Sequence, residues 1–186
     1  AFIDIQKELL IYVIVGWFSD FSGYILDYGT FPEQKRLNWV KSSIPVTLAS
    51  KYPKHTAKGR IYQALRDLHA QLDDLELRRK GDGARLTIDR IGIDSRYQTE
   101  TIRRFVRDIK DSKVIPTMGG KFGAKQKPMN HPDNVKKWTS GGRRLGTHWR
   151  QGEAKSGVQT VEISPNFWKT FVQEGLATPL GSAGSI

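Results

Sequence analysis

Three apolar runs stand within the first thirty residues, at positions 2–6, 9–18 and 23–30, with only Lys7-Glu8 and residues 19–22 between them. Runs of this length joined by tight turns predict an antiparallel three-strand meander at the start of the fold. The middle run is apolar from Leu9 to Val15, far short of the ~20 residues that a membrane-spanning helix needs. It reads as a buried strand, so no membrane segment is expected. No initiator Met, charged leader or cleavage site precedes the meander, which predicts no secretion signal and reads as a piece excised from a longer chain.

After the meander the period changes. Ile61, Leu65, Leu68, Leu72 and Leu75 mark one stripe of an amphipathic helix that starts near Thr56 and stops before Gly81. Residues 84–94, with Leu86, Ile88, Ile91 and Ile93, predict a fourth strand. Ser95-x-x-Gln98 has the form of a capping box for a helix that continues through Ile102, Phe105, Val106 and Ile109. Residues 113–118 and 158–163 predict two more strands, and 166–174 a last helix ending at Gly175. A meander followed by alternating helix and strand argues for an α/β fold with a mixed sheet, part antiparallel and part parallel, flanked by helices. The 186 residues make one ordinary domain, and no boundary is visible inside them.

Charge narrows the partner. Lys and Arg number 30 against 19 Asp and Glu, a net charge of +11, and such a surface attracts polyanions. The first fifty residues are near neutral. Residues 119–150 hold Lys121, Lys125, Lys127, Lys136, Lys137, Arg143, Arg144 and Arg150 against Asp133 alone, interleaved with Phe122, Trp138 and Trp149. Rich in glycine and without apolar periodicity, this stretch is expected to be a long mobile excursion whose cations contact a polyanion, nucleic acid foremost. There is no cysteine, which excludes disulfides, Cys-zinc sites and thiol nucleophiles.

Two acids occupy hydrophobic addresses. Asp4 lies between Ile3 and Ile5, and Asp94 closes Ile91-Gly92-Ile93. A carboxylate withdrawn from water needs a cation, backbone amides or a metal beside it. Singly, Asp4 fits a solvent-facing strand position and Asp94 a charge at a helix N-terminus. Together they can meet, if the first and fourth strands are neighbours. Mg²⁺ or Mn²⁺ prefers such oxygen ligands, and a pair of ions can serve phosphodiester hydrolysis. His55, His69, His131 and His148 show no HExxH or paired spacing for zinc. Residues 141–146 begin like a phosphate loop, but Thr147 and His148 stand where Lys and Ser or Thr are required. Asp73, Asp74 and Glu76 read as a solvated helix face.

The segments AFIDIQ, VGWFSD, ILDYGTF, IGIDSRY and FWKTFVQEGLATPLG, in that order, resemble the nuclease domain of the phage terminase large subunit of the GpA type. The resemblance spans nearly the whole chain and implies a ribonuclease H-like fold. It also implies an endonuclease that cuts concatemeric double-stranded viral DNA during genome packaging. Asp4 and Asp94 match the first two metal-binding acids, with two Mg²⁺ or Mn²⁺ ions expected. Where a third acid belongs this chain has Asn166, with Glu162 or Glu153 as substitutes. In such proteins an ATPase motor precedes the nuclease, a small subunit and a portal are partners, and the host cytoplasm is the site of action. A non-catalytic DNA-binding module and a transposase- or resolvase-type nuclease are the alternatives on the same fold.

Overall fold

A computed structural model describes residues 1–35, 40–120, 127–139 and 142–186. Strands β1 (Phe2–Ile5), β2 (Leu10–Trp17) and β3 (Gly23–Phe31) form the expected meander. A short helix α1 (Leu48–Lys51) leads into α2 (Ala57–Asp74), where the Thr56 side chain accepts a hydrogen bond from the Gly59 N–H. Next come β4 (Leu77–Arg78), β5 (Arg85–Leu86), β6 (Ile91–Asp94), α3 (Thr99–Ile109) and β7 (Val114–Gly119). Helix α4 (Pro132–Thr139), strands β8 (Trp149–Gln151) and β9 (Val161–Ile163), and helix α5 (Pro165–Ala177) complete the chain.

Seven strands join one sheet in the order β3-β2-β1-β6-β7-β9-β8. The meander and the β8 edge are antiparallel, while β1, β6, β7 and β9 run parallel. On one face α2 and α3 bury Ile61, Leu65, Leu68, Leu72, Ile102 and Phe105 against Ile3, Ile5, Leu10, Ile14, Ile91 and Ile93. Each such side chain contributes about 1.5–3 kcal/mol of burial, which is why the one-sided stripe of α2 suffices to dock it. Helix α5 lies on the other face, where Phe171 sits 6.4 Å from Trp17 and 6.1 Å from Phe21 between ring centres.

Three local expectations are corrected. Residues 84–94 are not one strand: β5 turns back on β4 as a hairpin, with Gly81 and Gly83 at positive φ in the bend, and only β6 enters the main sheet. Ser95-x-x-Gln98 is not a capping box. Gln98 is left-handed and makes no side-chain cap, while the Ser95 hydroxyl donates to the Thr117 carbonyl at 2.8 Å. A bond to the neighbouring strand outcompetes the local one.

The 119–150 stretch is in part folded. Trp138 of α4 is flanked by Arg143 and Arg150, whose guanidinium carbons lie 4.3 and 3.7 Å from its ring centre, and Met129 is buried. Cation–π stacking needs no apolar period, so the sequence pattern does not display it.

Candidate active site

Strands β1 and β6 are aligned with Phe2 opposite Gly92 and Ile3 opposite Ile93. Side chains alternate along a strand, so Ile3 and Ile93 point into the helix-packed core. Asp4 and Asp94, one residue further on, point to the opposite face at the C-terminal ends of their strands. Both line one open depression of about 510 Å³ with Gln6, Lys7, Arg96 and Tyr97. Gly92 permits the close approach, since a Cβ there would lie 2.8 Å from the Phe2 ring.

Each carboxylate is oriented by one short-range donor. The Gln6 side-chain amide donates to Asp4 Oδ2 at 2.6 Å, and the Arg96 backbone N–H donates to Asp94 Oδ1 at 3.0 Å. Among the described residues Asp4 Oδ1 and Asp94 Oδ2 accept no hydrogen bond, and neither acid forms an ion pair. Two half-buried carboxylates, each with a free oxygen and, among the described residues, no ion-pair partner, are a donor set that fits a hard divalent ion.

The remaining predicted ligands are placed differently. A Cβ on Gly119 would lie 3.0 Å from Pro165, so α5 starts over the end of β7 on the acid-bearing face. Asn166, its second residue, is exposed there. Glu162 is not brought to the acids. Val161 aligns with Thr117 and Thr117 with Asp94, so Glu162 alternates to the other face, where Arg150 holds it by bonds of 2.8 and 2.7 Å. Glu153 accepts from Arg143 at 3.1 Å.

Of the predicted DNA contacts, Lys121 and Lys125 lie outside the described residues. Lys127 pairs with Asp133, and Lys136 and Lys137 are exposed in the last turn of α4. Arg144 is exposed, whereas Arg143 and Arg150 hold Trp138 and acidic partners.

Sequence reading missed one cluster. His69 and Asp73 of α2 meet Asp111, which precedes β7, with one candidate ligand atom from each within 4.8 Å of the others. His69 bonds Asp111 at 2.9 Å, and Lys113 donates to Asp73 at 2.8 Å. Burial alone would raise the Asp111 carboxyl. The Lys113 backbone N–H, the His69 ring and the Lys113 ammonium outweigh that and hold it below its ordinary value. The i,i+4 spacing of His69 and Asp73 was the available signal, but only the fold brings in Asp111.

A seven-strand mixed sheet flanked by helices, with two acids at the carboxyl ends of adjacent central strands, defines the ribonuclease H-like class of nuclease domains. The family model described as terminase large subunit gpA, endonuclease domain, matches residues 1–179, and the chain belongs to that family. Membership gives it a nuclease role in DNA packaging, with DNA as substrate. No curated protein and no solved structure matches the chain. No helix among the described residues is long and apolar enough to cross a membrane.

Proposed function

We propose that the chain is a Mg²⁺- or Mn²⁺-dependent endodeoxyribonuclease that cuts concatemeric double-stranded DNA by two-metal phosphodiester hydrolysis. The observation that carries this reading is the register of β1 and β6, which sets Asp4 beside Asp94 in one open depression. Asp4 and Asp94 would hold the ions through their free oxygens, with the Asn166 carbonyl as a neutral third donor. When bound, such ions activate a water and stabilise the leaving oxygen. Gln6 and the Arg96 N–H fix the two carboxylates so that little reorganisation is needed at the moment of reaction. The exposed cations Lys136, Lys137 and Arg144 hold the duplex, with Lys121, Lys125 and Lys127 from the same basic stretch.

Supercoiled-plasmid nicking with Mn²⁺ tests the assignment, with Asp4→Ala and Asp94→Ala in parallel. Nicking by the parent and its loss in both variants is expected, as is loss on chelation. Equal activity in all three proteins, or activity insensitive to chelator, overturns it in favour of a different site. DNA binding with no cleavage by any of them favours a non-catalytic DNA-binding module. In the full-length protein the domain would act beside an ATPase motor, a small subunit and a portal, in the host cytoplasm.

A further inference from the structure

Several arginines are paired with acids, among them Arg79 with Asp82, Arg103 with Glu100, Arg104 with Asp108 and Arg150 with Glu162. Arg96 is not one of these, although two carboxylates are close at hand. It lines the same depression as Asp4 and Asp94, yet makes no ion pair among the described residues. Its guanidinium donates instead to the Gly119 carbonyl at the end of β7. That bond anchors the planar group across the ends of β6 and β7 and uses only one of its five N–H donors. The backbone N–H of the same residue holds Asp94, so carboxylate and guanidinium are fixed relative to one another.

A substrate phosphate brought to two bare carboxylates meets repulsion, and a cation held beside them but not neutralised by them offsets it. A guanidinium matches phosphate oxygens in a bidentate fork, which an ammonium cannot do. Lys7, on the β1–β2 turn, is 79% exposed at its side chain and pairs with Glu8 at 3.7 Å, so part of its charge is already answered by the protein.

We propose that Arg96 is a phosphate-binding residue of this site, gripping the DNA backbone at a phosphodiester beside the one that is cut. The inference rests on the nuclease reading for the word cut. The contact itself does not depend on metal or on catalysis, so its test is made without either.

The probe is a fluorescein-labelled duplex oligonucleotide titrated with the 186-residue chain in EDTA, followed by anisotropy over a range of NaCl. Arg96→Gln removes the charge while retaining a donor for the Gly119 carbonyl, and Arg96→Lys returns the charge without the fork. Losing one phosphate contact makes the log–log salt slope shallower by about 0.9, so the parent-to-variant affinity ratio falls about 3.5-fold between about 50 and about 200 mM salt. That result is expected for Arg96→Gln, with Arg96→Lys recovering the slope but not all of the affinity. Unchanged affinity and slope in Arg96→Gln overturn the proposal, as does a loss equal at all salt concentrations. Should Asp4→Ala and Asp94→Ala both still nick plasmid while Arg96→Gln shows the shallower slope, the assignment of cutting to Asp4 and Asp94 fails and the phosphate contact stands.

Discussion

Asp4 and Asp94 stand one residue beyond the aligned pair Ile3 and Ile93, on adjacent parallel strands and on the face away from the core. They are 90 residues apart in the chain and share one depression because β6 enters the sheet directly beside β1. The parallel pairing sends both strands the same way, so both acids arrive at the same end.

Removing either acid should abolish cleavage while sparing the fold, because both are half-exposed and neither packs in the core. Asp4→Ala and Asp94→Ala are expected to lower nicking by more than the about 10–100-fold typical of losing an outer-shell partner. Circular dichroism and melting temperature should match the parent.

Gln6 orients Asp4, and among the described residues its side chain makes no other hydrogen bond. Gln6→Ala should weaken Mn²⁺ binding by about 10-fold, measured by titration calorimetry in the absence of DNA. Unaltered Mn²⁺ affinity would remove Gln6 from the site.

A methyl group at Gly92 would sit 2.8 Å from the Phe2 ring, between the two acid-bearing strands. Gly92→Ala should cost about 1–3 kcal/mol through overpacking, or about 2–4 °C of melting temperature for each kcal/mol in a domain of this size. A variant melting with the parent would mean that Phe2 moves aside freely.

Trp138 joins α4 to the sheet edge through Arg143 and Arg150. Trp138→Ala should release α4, at a cost of about 1–2 kcal/mol for two cation–π contacts, and expose residues 132–139 to limited proteolysis. Protection equal to the parent's would show that other contacts hold the helix.

Acid should loosen the joint between α2 and β7. Asp111 has a folded-state pKa below its ordinary 3.8, so the stability it contributes is present above pH 3.8 and is lost as pH falls through the folded value. Asp111→Asn should destabilise by about 1–3 kcal/mol at neutral pH by removing the charge that His69 and Lys113 face. Urea melts at neutral pH and near pH 3 should show the gap between parent and variant narrowing in acid. A gap of equal size at both would exclude the carboxylate as its source.

Much of the fold is legible in the chain because its signals are local. The meander follows from apolar runs and short turns, and α2 from a stripe whose members Ile61, Leu65, Leu68 and Leu72 are all buried. The illegible parts are those where a distant partner overrides a local preference. Ser95 could cap its own helix but bonds Thr117, which lies 22 residues later. Leu86 and Ile88 continue the apolar pattern of β6, yet Leu86 pairs with Leu77 in a separate hairpin. Arg143 and Arg150 look like free cations in the sequence, and the fold commits them to Trp138, Glu153 and Glu162.

The sequence by itself determined that two acids stand at strand positions and that the excess charge is positive. Residue identity and short-range period are enough for each of these. Only the tertiary structure decided that Asp4 meets Asp94, that Glu162 lies on the other face, and that His69 finds Asp111. Which strands become neighbours, and in what register, depends on burying one continuous core between sheet and helices. No local stretch of chain encodes that sum.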